Sequence, residues 1–495
     1  MMNVRAGAAI LAARGISRGL RLLGRGATTL PGRAAIRICP QIISLLAKDQ
    51  HVIVLTGTNG KTTTTHMVSG ILDSLGFVVV TNVSGANLAT GIATTLVEGI
   101  RIGRRARKTG QKTIYVIEAD EAAFAKVCGP LHPMVCVVTN LFRDQLDRYG
   151  ELAHTQAFIA KGLDDTDAQI LLNADDSLVA ALERGREERV TFFGMDKESM
   201  ARNIVTKAAK SALGETTADA SYCSFCQTKY EYRARSFGHL GDFYCPSCGY
   251  GRSEPTFSVS YNTDINDADK SDKDRKEKTP GPSDVGFPVT LTYRGESITV
   301  GLPIPGLHNF YNTVAAVAAC VALGEKVREP SLSFGKVSMG VELVRPAFGR
   351  MEKIKIGSKS LCLLLVKNPV GLERALSFVS QASDADGMYL LLNSNDADGR
   401  DVSWIWDVDF ESRTYPEKVF VSGERYGDMY LRLAYAGIDK DRMQARPMED
   451  CGSLVDEALA ECGDGKCLYI LPNYTAMLAL REILVKRYHL KDFWK

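Results

Sequence analysis

The chain has 495 residues, 45% of them hydrophobic and 24% charged, so it holds enough apolar material for two or more globular domains. That composition excludes global disorder, a collagen-like repeat and a disulfide scaffold. With 60 basic and 58 acidic residues the net charge is +2, so no overall field draws the chain to nucleic acid or membrane, and any such contact is local.

Residues 1–48 form a basic segment predicted to be helical: Arg5, Arg14, Arg18, Arg21, Arg25, Arg33 and Arg37 all precede the first acid, Asp49. A signal peptide fits poorly, because the apolar stretch 6–13 is short and Arg14 ends it. Three readings stay open: a surface helix packing on its own domain, a basic amphipathic helix touching anionic lipid, and a transit peptide. No run approaches the ~20 apolar residues that cross a bilayer, and the cysteine usage favours a reducing cytoplasm.

From residue 52 onward, short β-branched runs alternate with helical stretches, the pattern of a mostly parallel sheet covered by helices. Strands are predicted over 52–55, 77–80, 113–117, 135–138 and 170–172, giving a doubly wound α/β core. Within it, Thr56-Gly57-Thr58-Asn59-Gly60-Lys61-Thr62-Thr63 follows an apolar strand and opens a helix. In that context backbone N–H groups and the helix start cradle phosphate, with Thr58, Asn59 and Gly60 as candidate nucleotide-binding residues. Lys61 reaches the outer phosphates, and a Thr62 or Thr63 hydroxyl ligates Mg²⁺. Leu55 stands where a standard phosphate loop has its first glycine, so this is a shorter variant.

The α/β pattern stops near Met195. Cys223-x-x-Cys226 and Cys245-x-x-Cys248 follow, 18 residues apart, the spacing of two knuckles that close a Cys₄ zinc site. Four thiolates leave no open position, so the ion is structural, and the ribbon over 221–251 is expected to act as a rigid lid or docking surface. Tyr230, Tyr232, Arg233, Arg235 and Phe237 interleave aromatic with basic residues, the weaker alternative being a nucleic-acid grip. Residues 262–286 are crowded with Asp, Lys, Ser, Pro and Gly and are predicted to be a flexible loop. Strands over 287–293 and 297–300 and an alanine-rich helix over 309–323 complete a central domain, 49–345.

Residues 346–495 are predicted to form a second, smaller α/β domain, with strands over 361–366, 388–392, 419–421 and 467–471. The loop 393–407 holds four Asp, Arg400 and two of the three Trp. By residue type it is either a binding site or an Asp/Gly turn with its Trp residues packed underneath.

The loop 56–63 resembles the ATP loop of the Mur ligase family, which joins amino acids to peptidoglycan precursors through an acyl phosphate. Further motifs occur in the family's order: Glu118 at a strand end, Thr139-Asn140, Asp144-Gln145-Leu146-Asp147-Arg148-Tyr149, Leu172-Asn173-Ala174-Asp175-Asp176, Gly306-Leu307-His308-Asn309 with Asn312, and Gly349-Arg350-Met351-Glu352. The resemblance implies ATP and Mg²⁺, with Glu118 and Thr62 on the metal, Asn140 in the nucleotide site, Asn309 at the adenine and Arg350 near the phosphates. Three departures stand out. The family's precursor-binding domain ahead of the loop has no room in this sequence, Gln145 replaces a metal-binding His, and Lys161 matches the family's carbamylated lysine only roughly.

The loop 393–407, the ribbon and Pro472-Asn473-Tyr474-Thr475 are together similar to the synthetase subunits of lipid II isoglutaminyl synthase, over residues 45 to 485. That resemblance implies a heterodimer with a GatD-type glutaminase whose Cys–His pair lacks its acid, supplied here by Asp401. It implies amidation of the α-carboxylate of D-glutamate in the lipid II stem peptide with glutamine-derived ammonia, at the inner face of the cell membrane. The alternatives are a stand-alone Mur or folylpolyglutamate-type amino-acid ligase and, against the near-zero net charge, a nucleic-acid-dependent ATPase.

Overall fold

The computed structural model describes residues 4–22, 28–82, 86–142, 152–203, 220–261, 287–302, 306–344, 350–396 and 398–488. The described residues up to Val344 form one unit and those from Arg350 onward another.

In the first unit the β-branched runs become β1 (His51–Thr56), β2 (Val78–Thr81), β3 (Thr113–Glu118), β4 (Val135–Val138), β5 (Gln169–Asn173) and β6 (Val190–Met195). They pair in parallel in the order β6-β5-β4-β1-β3-β2. The helices α4 (Lys61–Ser74), α5 (Ala89–Lys108) and α6 (Glu121–Leu131) supply crossovers. Val52, Ile53, Val54 and Leu55 of β1 are fully buried, as expected where helices cover both faces of a parallel sheet.

The mostly parallel sheet becomes antiparallel at one end. Beyond β6 lies parallel β9 (Phe257–Tyr261), then antiparallel β10 (Phe287–Tyr293) and β11 (Glu296–Leu302), making nine strands. Arg294 and Gly295 turn the β10–β11 hairpin at φ 48° and 83°, the paired positive values of a tight two-residue turn.

The amino-terminal segment forms α1 (Val4–Leu22), α2 (Leu30–Ile38) and α3 (Ile42–Ala47), which pack with α5 and α6. The Gly32 N–H donates to Thr94 Oγ1 at 2.8 Å, and a Cβ at this position would lie 1.8 Å from the Thr90 carbonyl, so only glycine allows the approach. The surface-helix reading of this segment is therefore what the fold contains. The 21-residue helix Leu307–Val327 is apolar and long enough to cross a bilayer, but it is packed inside the first unit, buried from Asn309 to Gly324.

The second unit is a six-stranded sheet of β12 (Arg350–Ile356), β13 (Lys359–Leu364), β14 (Ala385–Leu391), β15 (Lys418–Ser422), β16 (Met443–Ala445) and β17 (Cys467–Pro472), in the order β12-β13-β17-β14-β15-β16. All pairings are parallel except the edge pair β12–β13. Separate apolar clusters lie on its two faces, around Tyr469 and Leu390 and around Tyr389 and Phe420.

Candidate functional site

The loop 57–60 sits between the carboxyl ends of two neighbouring strands. Register places Leu55 of β1 opposite Glu118 of β3, and Thr56 opposite Val138 of β4, so Glu118 flanks the loop on one side and Thr139 and Asn140 on the other. The side chains of Asn140 and Thr139 hold the loop: Asn140 Oδ1 accepts from the Asn59 N–H at 2.9 Å, while Asn140 Nδ2 and Thr139 Oγ1 donate to the Asn59 carbonyl at 3.0 and 2.8 Å. The Thr58 N–H donates to the Asn140 carbonyl at 2.8 Å, and Thr58 Oγ1 accepts from the Phe142 N–H at 3.2 Å. Gly57 at φ 123° lies where a Cβ would meet Thr139 Oγ1 at 2.4 Å, which explains the glycine there.

Gly60, at φ 83°, starts α4 and offers no side-chain cap, which leaves the first turn of the helix to serve an anion. Asn312 braces this turn by accepting from Thr64 Oγ1 at 3.2 Å. Asn309 is buried, and its Oδ1 accepts from Asn312 Nδ2 at 3.3 Å. Thr62 and Thr63 lie in the same first turn.

Lys61 folds back over the loop, donating to the carbonyls of Gly57 and Thr58, and forms an ion pair with Glu121 Oε1 at 2.9 Å. Burial works against its charge, but Glu121, Glu118 and Asp120 more than offset that and raise its pKa. Lys61 is therefore a fixed ammonium at neutral pH. Glu118 is buried, with Oε1 accepting from Asn87 Nδ2 at 3.3 Å, while Asn82 pins its backbone on both sides. An ammonium, an uncapped helix start, hydroxyls and a strand-end carboxylate suit a nucleotide triphosphate with Mg²⁺. Glu121, Asp120, Asn82 and Asn87 escaped the sequence reading. The run Glu118-Ala119-Asp120-Glu121 carried the signal, since its acids lie one strand over from the loop.

Gln145 and the loop 262–286 lie outside the described residues. Arg350 begins β12 of the second unit, and only its backbone is described.

The four sulfurs of Cys223, Cys226, Cys245 and Cys248 lie within 4.8 Å of one another, with Cys223–Cys248 at 3.6 Å and Cys226–Cys245 at 3.4 Å. A tetrahedral zinc thiolate site has sulfurs about 3.8 Å apart, so this donor set fits Zn²⁺. The ribbon hairpin, β7 (Glu231–Phe237) and β8 (Leu240–Tyr244), is built into the first unit. Cys223, Tyr230, Phe243 and Cys245 share a core cluster with β1 and β4. Asp175 fastens it, accepting from Arg252 Nε at 2.7 Å, Tyr311 Oη at 2.5 Å and the Met195 N–H at 2.9 Å, and Tyr311 also meets Ser236 Oγ of the ribbon at 2.8 Å. Asp176 accepts from the Leu141 N–H at 2.7 Å and lies 3.3 Å from His239 Nε2. The His239 ring packs on Phe142 at 4.6 Å, and Phe142 bonds Thr58.

The ribbon thus braces the phosphate loop, a role that the lid or docking-surface reading did not include. Two aromatics of the aromatic–basic run are already engaged within the ribbon. Tyr230 is buried against Phe243, and Arg235 and Arg233 lie over Tyr232 and Tyr244 of the ribbon itself.

In the second unit the loop after β14 emerges at a strand's carboxyl end, where α/β sheets place their sites. It is clamped to the residues after β17: Thr475 Oγ1 accepts from Asn393 and Asn395 at 3.1 and 3.0 Å, and the Thr475 N–H donates to Asp398 at 2.8 Å. Beyond the clamp Asp401 is exposed, its Oδ1 accepting from the Ser403 N–H at 2.8 Å, which holds the carboxyl below the usual carboxylate range. Asp401 is thus an ionised acceptor presented to solvent. Of the two Trp residues of this loop, Trp404 packs partly buried against the core of the unit, while Trp406 remains half exposed.

Residues 55–240 match the Mur ligase middle domain, and residues 365–477 match the MurT ligase C-terminal family. The chain is 33% identical over 492 residues, 98% of each chain, to the lipid II isoglutaminyl synthase (glutamine-hydrolyzing) subunit MurT of Streptococcus pneumoniae. It is 29% identical, over 94% of each chain, to that of Staphylococcus aureus. Its fold is similar to a crystal structure of MurF from Acinetobacter baumannii, with TM-score 0.61 at 16% identity, covering 92% of this chain and 81% of that one. With a Mur-type phosphate loop in one unit, a MurT-type carboxyl-terminal unit and end-to-end similarity to named subunits, the chain belongs to the MurT family of lipid II isoglutaminyl synthase subunits.

Proposed function

We propose that this chain is the ATP-dependent half of a glutamine amidotransferase that converts D-glutamate in the lipid II stem peptide to D-isoglutamine. The observation that carries the reading is the 33% identity to a named MurT subunit along 98% of both chains. A carboxylate resists attack by ammonia because its oxygen is a poor leaving group. The γ-phosphoryl of ATP therefore passes to the α-carboxylate oxygen, giving an acyl phosphate and ADP. Ammonia then attacks the acyl carbon, phosphate leaves with the C–O bond, and the amide remains.

The phosphate loop binds and orients the triphosphate, while Lys61 and the first-turn N–H groups of α4 stabilise charge on the transferring phosphoryl. Mg²⁺, held by Glu118 and Thr62, would neutralise the phosphate oxygens when bound. Asn140 fixes the loop, and Asn309 would contact the adenine. Zn²⁺ on the four cysteines is structural.

Ammonia comes from a GatD-type glutaminase partner, to whose active-site histidine Asp401 is presented. An acid accepting from an imidazole N–H fixes its tautomer and stabilises the imidazolium as the thiol attacks glutamine. The reaction takes place at the cytoplasmic face of the membrane that carries lipid II.

Lipid II, ATP, Mg²⁺ and glutamine are incubated with the chain, with and without the co-expressed glutaminase, and the product is weighed. A decrease of about 1 Da, carboxyl to amide, only with the glutaminase is expected. ATP hydrolysis that rises with an added amino acid and leaves lipid II unamidated would instead make the chain a stand-alone ligase. In the complex, Asp401→Asn is expected to silence glutamine hydrolysis, with a fall of about 10³-fold or more, while amidation from added ammonium continues. Loss of both reactions would move Asp401 out of the glutaminase.

A further inference from the structure

The packing of the amino-terminal helices on α5 assembles a surface that neither element forms alone. Helix α1 turns Ala6, Ala9, Ile10, Ala13 and Ser17 inward. Its opposite stripe, at alternating spacings of four and three, is Val4, Ala8, Leu11, Gly15, Arg18 and Leu22, all exposed. Val4, Leu11 and Leu22 are 91%, 71% and 88% exposed, on the side of the helix away from its own core. Neighbouring α2 adds exposed Leu30 and Ile38.

The charge on this layer is strongly basic. Among the residues of α1, α2 and α5 the single acid is Glu98, and Arg21 of α1 pairs with it at 2.5 Å. That contact brings the end of α1 beside the stripe of α5 that continues through Arg101, Ile102 and Arg105, all exposed. Exposed aliphatics set among an excess of arginines complement a bilayer with anionic headgroups, where the side chains enter the acyl boundary and each cation gains from the surface potential. A nucleic acid fits less well, because these three helices carry no aromatic residue on which a base could stack.

We infer that the outer face of α1, α2 and the carboxyl half of α5 docks on an anionic phospholipid surface and holds the ATP-binding unit at the membrane. The inference rests on the reading that the substrate is lipid-anchored, since that gives the docking its purpose.

The test is flotation of the full chain, co-purified with its glutaminase, on vesicles that contain no lipid II. One set is phosphatidylcholine alone and the other also holds phosphatidylglycerol at about three to one. Binding to the anionic vesicles alone is expected. The double variant Arg101→Glu, Arg105→Glu should weaken it by at least about 30-fold, Leu11→Ser by several-fold, and the Lys double variant should retain it.

All altered side chains are exposed, so the unfolding midpoint should stay unchanged and certify the fold. Equal binding to neutral vesicles, no binding, binding untouched by charge reversal, or preferential capture of RNA over vesicles would each overturn the inference. None of these outcomes bears on the mass shift of lipid II, so a failure here is separable from a failure of the proposed reaction.

Discussion

Lys61→Ala is expected to abolish ATP-dependent amidation, lowering turnover by about 10³-fold or more, while the chain still assembles with its glutaminase. Two effects contribute, and the ion pair with Glu121 allows them to be separated. Removing the ammonium takes away the cation over the phosphate loop. It also leaves Glu121, 4% exposed and close to Asp120, without its partner. Breaking one side of such a buried pair costs about 3–5 kcal/mol, so the single variant should also melt at a lower temperature. The double variant Lys61→Ala, Glu121→Gln removes the orphaned charge and should recover most of the midpoint while remaining inactive. Thermal unfolding and product mass, read on the same two proteins, check this. Amidation that survives in the double variant would remove Lys61 from the reaction.

Loss of the zinc site should be felt at the phosphate loop as well as in the ribbon. Structural zinc in Cys₄ sites contributes on the order of 10 kcal/mol to segments with little core of their own. Here Cys223 and Cys245 also belong to the core of the first unit. Cys245→Ser is expected to release the ion and lower the unfolding midpoint by on the order of 10 °C. Because His239 packs on Phe142, and Phe142 bonds Thr58, nucleotide affinity should fall with it. Metal content, calorimetry and a titration with ADP give the three readings. A zinc-free variant with an unchanged midpoint would mean that the ribbon is an appendage.

Much of this protein is legible before it folds, wherever the determinant is local in the chain. The phosphate loop is a strand, a short glycine turn and a helix start within fifteen residues, and the zinc knuckles are two fixed spacings. The parallel strands β1, β3, β4 and β5 appear as apolar runs because helices cover both their faces. Two strands that fail this rule, β9 and β12, carry no such signal. In β9 buried and half-buried residues alternate beside the Cys-rich segment, and β12 is an edge strand of alternating Lys and apolar residues ahead of the first strand predicted in the second domain.

The pairings that give the sites their chemistry were decided by tertiary structure alone. Lys61 meets Glu121 across 60 residues because β1 and β3 are neighbours. Asp175 meets Arg252 and Tyr311, 77 and 136 residues away, and so ties the ribbon to the sheet. Asp398 and Asn393 meet Thr475 because β14 lies beside β17. Spacing along a chain encodes turns, knuckles and helix faces. Which buried charge finds which partner depends on strand order and register, settled when the sheet forms and unpaired charges are excluded from its interior.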